Sequence, residues 1–212
     1  MQVRLDDVKN GLNLPEFDGV AAQRLMMPAL RSNMRPWDWS GQPRLGGVLV
    51  LLYCYQNELH VLLTRRRDDL NAHAGQISFP GGRCEEGETF YETALRETFE
   101  EVGVYPAALT ALGPLTQIYI LPSDFEVYPF VAWHHDGQRP SFQPNFAEVA
   151  HILDVPLSHL LEPVNRHEEV WNLHGIEMDV PFFDFHGEKI WGATAMMLSE
   201  LLERTRSVIG YR

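Results

Sequence analysis

The sequence predicts an α+β chain in which a mixed β-sheet is sandwiched between helices, an α/β/α arrangement. Three features point there: paired β-rich runs at residues 48–55 and 59–64, a well-delimited helix over 88–102, and further strand-like runs interleaved irregularly with only one other strong helix. Neither an internal repeat nor a low-complexity segment is present.

In chain order, residues 6–30 are mixed in pattern, with a short amphipathic helix expected over 20–26, and residues 34–43 read as a Pro- and Trp-containing connector. The runs 48–55 and 59–64 are separated by Gln56-Asn57-Glu58, the mark of a hairpin with a short loop. Residues 65–87 read as a long irregular stretch. The helix over 88–102 is ended by Gly103, a residue suited to the left-handed position that terminates helices. Strands are expected at 115–120, 125–133 and 148–154, then a short helix after Pro156, strands near Val170 and Phe182, and an amphipathic helix over 193–204. The apolar residues Met196, Met197, Leu198, Leu201 and Leu202 would form its buried face.

The chain of 212 residues, 45% of them hydrophobic, is long enough for one well-buried core. Its 29 acidic against 17 basic residues give a net charge of -12, which repels a polyanion, so nucleic acid is not an expected partner. A small phosphorylated ligand stays admissible, because a local arginine cluster or a divalent cation can reverse the field within one cleft. Two cysteines, Cys54 and Cys84, build neither a disulfide framework nor a four-ligand zinc site, which fits a reducing cytoplasm. Neither a signal-type segment nor a membrane-length apolar run is read in the sequence, and the end of the chain is not a peroxisomal address.

On the helix over 88–102, at about 100° per residue, Tyr91, Ala94, Leu95, Thr98 and Val102 share one arc while Glu97, Glu100 and Glu101 share another. One face packs; the other presents three carboxylates that repel one another by a few tenths of a kcal/mol per i,i+4 pair, roughly. A divalent cation is the natural compensation, since Mg²⁺ takes one or two carboxylates beside phosphate oxygens and water, and Mn²⁺ suits the same ligands. Taken alone, the three glutamates read more simply as the solvated acidic face of an acidic protein.

The surrounding residues go further. Gly82, Glu88, Arg96, Glu97, Glu100, Glu101, Gly103 and Val104 resemble the box of the Nudix hydrolases, GX5EX7REUXEEXGU, where U is a bulky apolar residue; Thr98 is a mild departure at the middle apolar position. The resemblance implies a metal-dependent pyrophosphohydrolase with Mg²⁺ or Mn²⁺ as cofactor. Glu97 and Glu101 would be the main metal ligands, Glu100 a third, and the backbone carbonyl of Gly82 a further one. It also implies that an Arg96–Glu88 ion pair fixes the loop against the helix. The proton acceptor varies within the family, leaving Glu97, Glu100 and the remote Glu148 as candidates. Residues 45–212 would then be the Nudix domain and residues 1–44 an N-terminal extension packing on it, with a homodimer left open.

Ahead of the box, Leu62-Leu63-Thr64-Arg65-Arg66-Arg67, His73-Ala74-Gly75-Gln76 and Phe79-Pro80-Gly81-Gly82 resemble the added signature of the coenzyme A pyrophosphatase subgroup, LLTxR followed by HxGxxxFPGG. That resemblance implies cleavage of CoA or its thioesters to adenosine 3′,5′-bisphosphate and 4′-phosphopantetheine. Two positions depart from it: Arg67 stands at a usually small residue and Asn71 at a usual arginine. The expected substrate contacts are Arg65, Arg66, Arg67, His73 and Gln76. On an alternating strand Arg65 and Arg67 share one side and Arg66 the other, so only part of the cluster reaches one ligand, and the retained position, Arg66, is preferred. Solvated charges at a strand end are the alternative for the trio, and a backbone-bonded loop residue is the alternative for His73. Phe79 is expected to pack beneath the box, His134-His135 to lie in a polar turn, and Cys84 to be an unreactive thiol. ADP-ribose, a dinucleotide or a nucleoside triphosphate remains an alternative substrate, and a non-catalytic nucleotide-binding module is the alternative from outside the enzymes.

Overall fold

In a computed structural model, residues 3–30, 42–69, 74–173 and 175–210 are described. The N-terminal part forms two helices, α1 (Leu5–Leu12) and α2 (Gly19–Arg24), and a two-residue strand β1 (Ala29–Leu30). A hairpin follows, β2 (Arg44–Tyr55) and β3 (Glu58–Arg66), then the short strands β4 (Ile77–Ser78) and β5 (Gly81–Arg83) and helix α3 (Phe90–Val102). Next are β6 (Leu109–Pro114), β7 (Ile118–Ile120), β8 (Phe125–Gln138), β9 (Val149–Pro156) and helix α4 (Leu157–Leu161). The chain ends with β10 (Arg166–Leu173), β11 (Ile176–Phe185), β12 (Glu188–Trp191) and helix α5 (Gly192–Ile209).

The main sheet runs β4-β3-β2-β8-β6, with β5 also paired to β2, β7 to β8 and β9 to β3. It is mixed: β2 and β8 run parallel, from Arg44↔Phe125 onward, whereas β2–β3, β3–β9 and β6–β8 are antiparallel. Both faces are covered, and the strand sequences show why. Along β2, Val50 and Leu52 join the core that includes Leu198, Leu201 and Leu202 of α5, while Leu49, Leu51 and Tyr53 join Ala94 and Val102 of α3 on the other side. A strand buried on both faces reads as a continuous apolar run, which is what residues 48–53 are.

A second sheet, β1-β11-β10 with β12 paired to β11, was not separable from the first in the sequence. Alternation fixes which side a residue faces, but the partner of a strand depends on chain path.

The expected hairpin loop is tighter than three residues. Gln56 and Asn57 take positive φ (50° and 66°) and Glu58 already pairs with Tyr55, the geometry of a two-residue type I′ turn. Helix α3 begins at Phe90 instead of 88, because Thr89 is its N-cap: Thr89 Oγ1 accepts from the Glu92 amide (3.2 Å) and Glu92 accepts from the Thr89 amide (2.8 Å). Gly103 ends it in the left-handed region (φ 74°). Three other expectations are corrected. Residues 65–87 contain the end of β3 and the strands β4 and β5; His134 and His135 lie in β8, not in a turn, with His134 buried; and α1 was not anticipated. Helix α5 continues beyond residue 204 to Ile209, and of its expected apolar face all but the partly buried Met196 are buried.

Candidate active site

Helix α3 is pressed against the glycines of β2. A Cβ on Gly47 would sit 1.9 Å from the Phe90 carbonyl oxygen, so the first turn of the helix rests directly on the strand backbone. β5 pairs with the same stretch of β2, Gly47↔Gly82, and thereby lies beside the acidic part of α3. A Cβ on Gly82 would sit 2.3 Å from Glu97 Oε1; only glycine lets this carboxylate lie on the strand backbone. The Gly82 carbonyl oxygen lies 2.2 Å from where a Cβ on Gly46 would be, so it is turned toward β2.

Arg96 organises the loop before α3. Its Nε donates to Glu88 Oε1 (2.7 Å), its Nη2 to Glu88 Oε2 and to the Arg83 carbonyl (3.2 Å each), and its Nη1 to Glu97 Oε1 (2.8 Å). Glu88 also accepts from Thr93 Oγ1 (2.8 Å) and the Glu85 amide (3.1 Å). These bonds, the Arg96 pair first, hold the Glu88 carboxyl down at about 2.

The three glutamates of the acidic arc do not share one environment. Glu100 is exposed, 3.5 Å from Arg96 Nη1, and Glu97 is partly buried. Glu101 is buried, with 8% of its surface exposed, and accepts from the Gly81 amide at 3.5 Å. Burial is the main cause that pushes its carboxyl up to about 8, with Glu97 and Glu148 adding to the rise and Arg66 opposing it. Burial likewise raises Glu97, although Arg96 pulls against it. Thr98, the departure from the box pattern, is fully buried and satisfies its hydroxyl by donating to the Ala94 carbonyl (2.7 Å).

The arginine trio is divided. Arg65 is bound in bidentate fashion by Asp68 (2.8 and 3.1 Å) and lies 3.6 Å from Glu188. Arg67 is bound by Asp69 and donates to the Phe146 carbonyl (2.7 Å). Arg66 turns the other way, to Glu148 at 3.7 Å, and its buried Nε has no hydrogen-bond partner among the described residues. The Gln76 carbonyl accepts from the Arg66 amide (2.9 Å), which fixes the returning end of the loop. His73 and Asn71 lie outside the described residues. Phe79 is buried in the core, and Cys84 donates to the Glu88 carbonyl at 3.3 Å.

Glu148 was reached in the sequence as a remote carboxylate; its setting was not. It ends the segment 139–148 between β8 and β9, which caps α3. The amides of Gln143 and Asn145 donate to the carbonyls of Val102 and Glu101 (2.8 Å each), two of the groups a helix C-terminus leaves without partners.

Among the described residues no group of three His, Cys, Asp or Glu side chains is assembled as a metal cage. The donors fit a different kind of site. Two carboxylates, Glu97 and Glu101, lie one turn apart and are both raised by desolvation; of the two, Arg96 pairs with Glu97 alone, so a divalent cation would supply the charge that offsets the pair, and Mg²⁺ requires no more than one or two protein carboxylates.

A model of the NUDIX domain matches residues 43–178. The chain is 32% identical over 200 residues to an uncharacterized Nudix hydrolase, NudL, of Yersinia enterocolitica, covering 92% of this chain and 95% of that one. It is 31% identical over 171 residues to Nudix hydrolase 3 of Caenorhabditis elegans, covering 73% and 70%. A crystal structure of a Nudix hydrolase from M. smegmatis, RenU, superposes with a TM-score of 0.52 at 16% identity, over 87% of this chain and 94% of that one. The protein is thus an enzyme of the pyrophosphohydrolase class. It belongs to the Nudix hydrolase family, whose members act on nucleotide diphosphate derivatives and generally need a divalent ion such as Mg²⁺ or Mn²⁺.

Proposed function

We propose that this enzyme hydrolyses the diphosphate bond of coenzyme A or its thioesters to adenosine 3′,5′-bisphosphate and 4′-phosphopantetheine, with Mg²⁺ or Mn²⁺ held by Glu97 and Glu101. Glu100 and the Gly82 carbonyl are the further ligands that the box implies. A bound divalent ion supplies Lewis-acid polarisation of the phosphoryl oxygens and a more acidic water. The chain supplies the rest. Arg96 orients Glu97 through its Nη1, the Gly81 amide holds Glu101, and a carboxylate, with Glu97, Glu100 and Glu148 as candidates, takes the proton of the attacking water.

The observation that carries the CoA reading is Arg66. Within the Leu62-to-Arg66 signature it is the arginine not already engaged by a loop aspartate, and its unpartnered Nε lies in the field of Glu101 and Glu148. An incoming phosphate would give that nitrogen its acceptor, in a charge-assisted contact worth roughly 1.5–3 kcal/mol. Gln76 and His73 are the further substrate contacts that the signature implies, while Arg65 and Arg67 are engaged by Asp68 and Asp69. ADP-ribose, a dinucleotide or a nucleoside triphosphate is the competing substrate class, favoured by Asn71 in place of the signature's second arginine. A reducing cytoplasm, with neither nucleic acid nor membrane as partner, completes the reading; no helix among the described residues is long and apolar enough to cross a membrane.

The test is a product assay with Mg²⁺ or Mn²⁺ on CoA, acetyl-CoA, ADP-ribose, NADH and a nucleoside triphosphate at equal concentration, with Glu101→Gln as the blank. Preferential release of adenosine 3′,5′-bisphosphate from CoA is expected; faster cleavage of another compound overturns the CoA assignment. Arg66→Ala should raise KM for CoA more than for dephospho-CoA if this side chain reads the 3′-phosphate, and equal losses refute that role.

A further inference from the structure

The segment 139–148 is fastened at its base by a group of side chains that the catalytic reading does not use. Arg139, the first residue after β8, binds Asp154 of β9 with two hydrogen bonds, Nε to Oδ1 (2.6 Å) and Nη2 to Oδ2 (2.9 Å). The fully buried Tyr53 of β2 donates its hydroxyl to the same Asp154 Oδ1 (2.6 Å). The loop is therefore closed by a planar, charge-assisted pair, footed on a core tyrosine.

The contact continues toward Glu148 without a gap. The Arg139 guanidinium lies 4.8 Å over the Phe142 ring, and Phe142 packs edge-on against Tyr53 at 5.6 Å. The next residue, Gln143, donates to the Val102 carbonyl, and Asn145 to the Glu101 carbonyl. The Asn145 carbonyl in turn accepts from the Glu148 amide (2.9 Å), while the Glu148 carbonyl accepts from the Arg67 amide (3.0 Å). Gly103 allows this seating, since a Cβ there would meet Gln143 Cβ at 2.8 Å.

We propose that Arg139, through Asp154 and Phe142, is the positioning residue that fixes Glu148 beside the Glu101 end of α3. This rests on the reading above only in that Glu148 takes part in the reaction. Arg139 touches no reacting atom. It sets the geometry from which Glu148 acts, so its removal lowers kcat and leaves KM nearly as it was.

The experiment is a double-mutant cycle with Mg²⁺ on whichever compound the product assay shows to be cleaved fastest: wild type, Arg139→Ala, Glu148→Gln and the double variant, with Arg139→Lys and Tyr53→Phe as milder variants. Arg139→Ala should lower kcat about 10- to 100-fold with KM within about twofold. In the Glu148→Gln background it should cost nothing further. Millimolar guanidinium should restore part of the loss, and amide exchange at Gln143 and Asn145 should quicken. If Arg139→Ala misfolds, Tyr53→Phe, which removes one hydrogen bond to Asp154, should show a smaller kcat loss that also vanishes with Glu148→Gln. An equal loss in both backgrounds overturns the positioning role and leaves Glu148 in the mechanism. Undiminished turnover of Glu148→Gln removes Glu148 from the mechanism and the proposal with it.

Discussion

Replacing Glu101 by Gln should make the metal-free protein more stable while abolishing its turnover. In the chelated protein the buried carboxyl titrates at about 8 rather than at its ordinary 4.5, chiefly through desolvation. A folded-state value above the unfolded one means that folding favours the protonated form. The group therefore costs nothing below about pH 4.5, and its penalty grows as the pH climbs toward 8. At pH 7 the penalty spans about 2.5 pH units, or roughly 3 kcal/mol at 1.36 kcal/mol per unit. Gln carries no proton to titrate and keeps an acceptor for the Gly81 amide, so the variant should escape this cost. For a domain of this size the gain corresponds to a Tm higher by roughly 6–12 °C. The assay is thermal and denaturant unfolding in EDTA from pH 5 to 9. The stability difference between variant and wild type should be under about 1 kcal/mol at pH 5, grow steadily through neutrality and level off above pH 8. A difference that does not change with pH would refute the reasoning, because it would mean the Glu101 carboxylate is as well solvated folded as unfolded. Adding Mg²⁺ should raise the melting temperature of wild type and leave the variant where it was.

Arg96→Ala should release the Glu88 carboxyl from about 2 toward the ordinary carboxylate range, as read by NMR titration, and lower turnover by freeing Glu97; a Glu88 value that stays put would assign its depression to Thr93 and the Glu85 amide. Gly47→Ala should leave little folded protein on expression, because its Cβ would meet the Phe90 carbonyl at 1.9 Å and that atom is helix backbone, not a side chain that can turn away. Arg204→Met should cost up to about 3 kcal/mol in denaturant unfolding, because it strips the charged partner from the fully buried Glu200. The Thr116 amide and hydroxyl and the Gln23 amide still bond that carboxylate and limit the loss. A wild-type midpoint would show those three donors to be sufficient.

What the sequence determined by itself was whatever depends on short-range chemistry. The apolar run of β2, the presence of a short hairpin loop at Gln56-Asn57, the α3 periodicity and the Gly103 stop are written in neighbouring residues, whereas the pairing of Glu58 that shortens the loop appeared only in the structure. The box spacing likewise identified the family, since its residues run without interruption from Gly82 of β5 through one loop and helix α3 to Val104. Periodicity also placed Glu97, Glu100 and Glu101 on one arc, yet only tertiary packing decided that they differ, with Glu101 buried, Glu97 lying on Gly82 and Glu100 in solvent. The alternation of Arg65, Arg66 and Arg67 could be read from the strand; which side faced Glu148 and which faced Asp68 and Asp69 could not. The capping of α3 by residues 139–148, and its fastening by Arg139, Asp154 and Tyr53, join positions up to 101 apart. No local rule pairs them, because burial and long-range hydrogen bonds are properties of the assembled core and not of the sequence neighbourhood.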